Sequence, residues 1–127
     1  MADVASSSGN TLDSEALARL AKLGRLTDQN LLGDLVALFA RDVPPRIAAC
    51  QDALDRDDPE SLRRGAHAIK GTAGALGARE LGALCARIET EAGVATPGDV
   101  SGLVSALDSA FRRACAALEA LSLEQGA

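Results

Sequence analysis

Leu62-Arg63-Arg64-Gly65-Ala66-His67-Ala68-Ile69-Lys70-Gly71-Thr72-Ala73-Gly74-Ala75-Leu76-Gly77-Ala78 is the stretch on which the reading of the chain turns. Leu62, Ala66, Ile69, Ala73 and Leu76 recur at intervals of four and three, the spacing of a buried stripe on a helix. At about 100° per residue, His67, the one histidine of the chain, falls on nearly the opposite side. Arg63 and Arg64 lie one turn before it, Lys70 and Gly71 one turn after, and Gly74 two turns after. The spacing predicts a helix that buries one face and turns an imidazole outward among cations and residues without side chains.

The flanking sequence supplies partners for the buried face. Asp57-Asp58-Pro59-Glu60 is a helix start: Asp58 can cap, Pro59 suits the first helical position and Glu60 complements the dipole. This places the central helix at 59–75. Upstream, Leu31, Leu32, Leu35, Leu38 and Phe39 form an apolar stripe with Thr27 as its N-cap, and Ile47, Cys50 and Leu54 continue it past Pro44-Pro45. The prolines predict either one kinked helix or two nearly collinear ones over 28–57. A short helix over 13–23 precedes it, with Leu17 and Leu20 inward and Gly24 as a stop. Downstream, Leu81, Leu84, Cys85, Ile88 and Ala92 predict a helix over 78–92 closed by Gly93. Thr96-Pro97-Gly98-Asp99 has capping-box spacing and opens a last helix to Leu121, with Leu103, Leu107, Ala110, Phe111, Ala114 and Leu118 inward.

Four substantial amphipathic segments on short connections pack most simply as an all-α, antiparallel up-down four-helix bundle, with the short N-terminal helix as an extra element across one end. Residues 11–121 form this single domain, between a flexible tail over 1–10 and a frayed end over 122–127. The core is built of Leu and Ala, since the chain has two Phe and neither Trp nor Tyr. No segment alternates with period two, and at 127 residues there is enough chain for one core.

Composition narrows the function. A net charge of −5 and the lack of stacking aromatics argue against nucleic acid as a partner. No apolar run approaches the length of a membrane span, and Met1 to Asn10 lack the basic and apolar regions of a signal peptide, so a cytoplasmic protein is expected. Cys50, Cys85 and Cys115 are odd in number and far apart, and read as small core residues of a reducing compartment.

His67 remains as the candidate for chemistry. Lys70 shares its face, and a like charge one turn away favours the neutral, nucleophilic ring. The same lysine would stabilise a phosphoryl group added to the ring, as Arg63 or Arg64 could. Gly65, Gly71, Gly74 and Gly77 each cost about 0.8–1 kcal/mol against Ala inside a helix. Close helix packing accounts for Gly65, which lies near the buried stripe. It does not account for Gly71 and Gly74 on the His67 face, where missing side chains would let another macromolecule reach the imidazole; for Gly74 the alternative is helix-end chemistry. With one histidine there is no second imidazole for a metal site, and no nucleotide-binding loop or serine-nucleophile motif is present. The pattern points to a group carrier that receives from one protein and donates to another, without kinase activity or cofactor of its own.

The run from His67 to Ala78, with Lys70-Gly71 three residues on and a Gly-Ala pair at its close, resembles the signature of histidine-containing phosphotransfer (HPt) domains. Residues 12–121 fit that family's layout. The resemblance implies a four-helix bundle with His67 as phosphoacceptor, Lys70 as charge partner, and Gly71 and Gly74 as clearance for docking, with Arg63, Arg64, Ala68 and Ala75 around them. It implies shuttling of phosphoryl groups between receiver-domain aspartates, from a hybrid sensor kinase to a response regulator, with the Mg²⁺ on the partner receiver. As no dimerisation, ATP-binding or receptor-coupling segment accompanies the domain, a monomeric stand-alone carrier is expected, unless the chain is an excised fragment. In chemotaxis-type relatives a glutamate on the next helix orients the imidazole, and Glu89 stands where such a residue could sit. The competing expectation is a bundle of the same fold that binds a receiver or another regulator without being phosphorylated.

Overall fold

The computed structural model describes residues 11–27, 31–94 and 96–126. Among them are five helices: α1 (Ser14–Thr27), α2 (Leu31–Asp55), α3 (Pro59–Ala75), α4 (Arg79–Glu91) and α5 (Pro97–Gly126). α3 packs between α2 and α4, and α5 closes the ring against α4 and α2. This is the antiparallel up-down four-helix bundle, with α1 laid against α2 as the extra element. The expected tail over 1–10 lies outside the described residues.

α3 begins and ends as its sequence dictates. Asp58 caps it by accepting from the Ser61 amide at 3.1 Å and the Ser61 hydroxyl at 2.7 Å. These two donors hold its carboxyl below the usual range. At the other end Gly77 takes a left-handed φ of 69°. The amides of Gly77 and Ala78 then return to the carbonyls of Gly74 and Ala73, satisfying the exposed end of the helix. Leu62, Ala66, Ile69, Ala73 and Leu76 are all buried.

Gly77 has a second role that its sequence position does not suggest. The segment before α1 crosses this turn: the Asp13 amide donates to the Gly77 carbonyl at 2.5 Å, and Leu12 makes an antiparallel bridge with Ala78. A Cβ on Gly77 would lie 2.8 Å from the Asp13 carbonyl oxygen, so only glycine admits this approach.

Several boundaries differ from expectation. α1 runs through Gly24 to Thr27, so Gly24 does not stop it and Thr27 ends this helix instead of capping the next. The Leu20 side chain lies outside what is described. Of the two expectations for α2, the single helix holds: it is continuous through Pro44 and Pro45. Both prolines are exposed between buried Val43 and Ile47, so the core stripe keeps its register through them. The inward stripe of α2 is Leu32, Val36, Phe39, Val43, Ile47, Cys50 and Ala53, whereas Leu38 is 42% exposed. α5 continues five residues past Leu121 as helix, to Gly126.

Phe39 of α2 and Phe111 of α5 meet at 5.2 Å between ring centroids, tilted by 44°, and join these two neighbouring helices in the core. Cys50 and Cys85 are buried and Cys115 is half-buried, all as free thiols. Burial pushes the Cys50 thiol up, the Cys85 thiol up to about 12 and the Cys115 thiol up to about 11, which keeps them protonated and unreactive. Among the described residues no helix is long and apolar enough to cross a membrane.

Candidate functional site

His67 stands in the middle of α3 with its side chain 71% exposed. Its partner comes from the neighbouring helix. Glu89, one turn after buried Cys85 on α4, leans over the α3–α4 seam and places Oε2 at 2.9 Å from His67 Nδ1. The other carboxylate oxygen, Oε1, lies 2.6 Å from Lys70 Nζ. Oε1 is shielded from solvent and has no donor in hydrogen-bonding alignment, so the Lys70 contact is an ion pair. One carboxylate thus holds both His67 and Lys70.

The electrostatics follow from that bridge. The Lys70 ammonium first, and His67 second, hold the Glu89 carboxyl below the ordinary glutamate value of 4.5, against a desolvation that acts the other way. An ionised carboxylate can only accept, so Nδ1 carries the hydrogen in the bond to Glu89. In the neutral ring this leaves the lone pair on Nε2, which has no hydrogen-bond partner among the described residues. Lys70 is therefore not an uncompensated charge beside the ring, as its spacing alone suggested. It is half of an ion pair on the ring's edge.

Arg63 and Arg64, expected on the same face, do not contact His67. Arg63 donates to the Ala92 carbonyl at 2.5 Å and to Glu60 at 3.0 Å, and Arg64 donates to the Ser61 hydroxyl at 3.2 Å. The reason is the tilt of helical side chains toward the N-terminus. Residues one turn before His67 lean away from it, and Lys70, one turn after, leans back toward it. This tilt is the signal that could have separated Lys70 from the arginines in the sequence.

Beyond Lys70 the surface is bare. A Cβ on Gly71 or Gly74 would meet nothing within 4 Å, and Ala75 beside them is exposed. Ala68 is half-buried next to the ring. Gly65 is different: its Cβ would lie 2.8 Å from Cys50 Sγ on α2, so it is a packing glycine.

A four-helix bundle presenting one exposed, carboxylate-held imidazole beside a lysine and a glycine shelf defines a class of protein, the histidine carrier. The sequence model of the Hpt domain family matches residues 34–124, and the chain belongs to that family. The crystal structure of histidine-containing phosphotransfer protein B (HptB) from Pseudomonas aeruginosa PAO1 is similar in fold, with a TM-score of 0.76 over 90% of this chain and 96% of that one, at 23% identity. A search of curated proteins finds no significant match. Membership of this family supports histidine phosphotransfer within a phosphorelay as the function.

Proposed function

We propose that His67 is the phosphoacceptor and that the chain carries phosphoryl groups between aspartates of receiver domains, from a hybrid sensor kinase to a response regulator. The observation that carries this reading is the hydrogen bond from Nδ1 to Glu89 on an otherwise exposed ring. It fixes the ring plane and leaves Nε2 as the nucleophile.

In the transfer, the Nε2 lone pair attacks the phosphorus of a partner's aspartyl phosphate. The N–P bond forms as the P–O bond to aspartate breaks, and the aspartate leaves as carboxylate. The phosphorylated ring then carries a positive charge shared with the Nδ1 hydrogen, and the Glu89 carboxylate stabilises it. Lys70 lies one turn from the ring and can turn from Glu89 to the incoming phosphoryl oxygens. The Mg²⁺ that neutralises the transferring group belongs to the receiver. This chain contributes position and nucleophile, and Gly71, Gly74, Ala68 and Ala75 form the shelf on which the receiver settles.

Incubation with a phosphorylated receiver should place acid-labile, alkali-stable label on the wild-type chain and none on His67→Gln. Label that persists on the glutamine variant sinks the assignment.

A further inference from the structure

Arg63 is the best-connected side chain near the site that the transfer itself does not use. Its Nη2 donates to the carbonyl of Ala92, the residue that caps α4, and its Nη1 to Glu60 in the first turn of its own helix. The chain after Ala92 folds over this contact. Gly93 takes a φ of 80°, and a Cβ there would lie 2.9 Å from Arg63 Nη2 and 3.2 Å from Pro59 Cβ. A guanidinium on the negative end of a helix dipole is a charge-assisted bond in a favourable place. At the opposite end, α4 is tied to α3 by the short turn of residues 76–78.

The spacing puts this staple next to the site. Arg63 is four residues before His67 on α3, and Ala92 is three residues after Glu89 on α4. Apolar side chains of both helices fill the seam between them. A hydrogen bond of about 2.9 Å is near its optimum, and by about 3.6 Å it is lost. The bond from Arg63 to the Ala92 carbonyl is directional, and its two ends lie one turn from His67 on α3 and one turn from Glu89 on α4.

We propose that Arg63 is a positioning residue, which staples the C-terminus of α4 to α3 and so holds Glu89 where it fixes the His67 ring. The inference rests on the phosphoacceptor reading of His67 and assigns Arg63 to the inside of the machinery, apart from the docking surface. A docking arginine would act on the partner; a positioning arginine acts through Glu89.

The test is a double-mutant cycle in the full chain with Arg63→Ala, Glu89→Ala and both together. One readout is the long-range ¹H–¹⁵N spectrum of His67 in its neutral form, which reports the nitrogen bearing hydrogen. The other is the rate of phosphoryl uptake from a phosphorylated receiver. In the wild type the hydrogen should reside on Nδ1. Arg63→Ala should shift the ring toward the mixture seen in Glu89→Ala and slow uptake about fivefold to tenfold, and it should add nothing further in the Glu89→Ala background. An unchanged ring spectrum in Arg63→Ala, or rate losses that multiply in the double variant, overturns the proposal. Gly93→Ala crowds the same guanidinium while keeping the Arg63 side chain, though it also presses on Pro59 at the start of α3, and it serves if Arg63→Ala does not fold. It should move the ring spectrum in the same direction, and an unmoved spectrum overturns the proposal as well. If the wild type takes up no phosphoryl group, the functional reading falls, while the ring spectrum still decides the role of Arg63.

Discussion

The two faces of α3 carry glycines for opposite reasons. On the inner side, Gly65 lets α2 approach so closely that even a methyl group would collide with Cys50 Sγ at 2.8 Å. On the outer side, Gly71 and Gly74 face nothing within 4 Å. Gly65 and Gly71 give up helix propensity of about 0.8–1 kcal/mol each, and Gly74, in the last turn of α3, gives up less. At Gly65 the cost is offset within the fold by close packing. At Gly71 and Gly74 nothing in the fold offsets it, and beside an exposed His67 held by Glu89 the compensation is sought outside the molecule, in a docked partner. A glycine that costs stability with no packing in return therefore marks a surface used by something else.

That contrast can be broken by substitution. The largest effect is expected for Gly74→Leu, which should slow phosphoryl uptake from a receiver by about a hundredfold, roughly 2.7 kcal/mol, with the thermal unfolding midpoint held or raised; unchanged uptake would remove the clearance argument. Gly65→Ala should lose stability, since the overpacking cost of about 1–3 kcal/mol outweighs the regained propensity. Denaturant unfolding measures this as a lowered midpoint at constant slope. Gly71→Ala should gain about 0.8–1 kcal/mol in the same experiment. The same sign for both alanine variants would erase the distinction between the faces.

The smallest effect concerns the bridge that joins the outer face to α4. Glu89 should titrate below 4.5 in the folded protein, and Lys70→Ala should move it upward, because Lys70 is the first cause of the depression. A depressed carboxylate contributes stability above its unfolded value and loses it as pH falls through the folded value. Stability from this bridge should fade as pH falls from the ordinary glutamate value of 4.5 through the lower folded value, which the ¹³C shift of the Glu89 carboxyl locates. A value that ignores Lys70→Ala would separate the two residues.

The difference between the faces also explains what the sequence could disclose. Inner-face periodicity is repeated in every helix, so the bundle, the span of α3 and its Asp58 cap are legible from spacing alone. The outer face is legible where one residue type is rare: His67 is unique, and Lys70, Gly71 and Gly74 stand at fixed steps from it. What spacing does not carry is contact between helices. Arg63 and Arg64 share the sector of His67 but lean the other way, and the Ala92 carbonyl that claims Arg63 lies 29 residues off in the chain. Gly77 is read as a helix end, and its approach to Asp13 depends on where the segment before α1 crosses. Pro44 and Pro45 leave one kinked helix or two collinear ones open, which spacing alone does not decide, and Leu38 counts as apolar in a stripe that leaves it at the surface.

The central claim is that Glu89 holds Nδ1 so that Nε2 of His67 receives the phosphoryl group. It is tested most directly by phosphorylating the ¹⁵N-labelled chain from a receiver and identifying the nitrogen that bears phosphorus from its ¹⁵N–³¹P coupling and shift. The account predicts phosphorus on Nε2 of His67, with the Nδ1 hydrogen still directed at Glu89. Phosphorus on Nδ1, or on any residue other than His67, would contradict it.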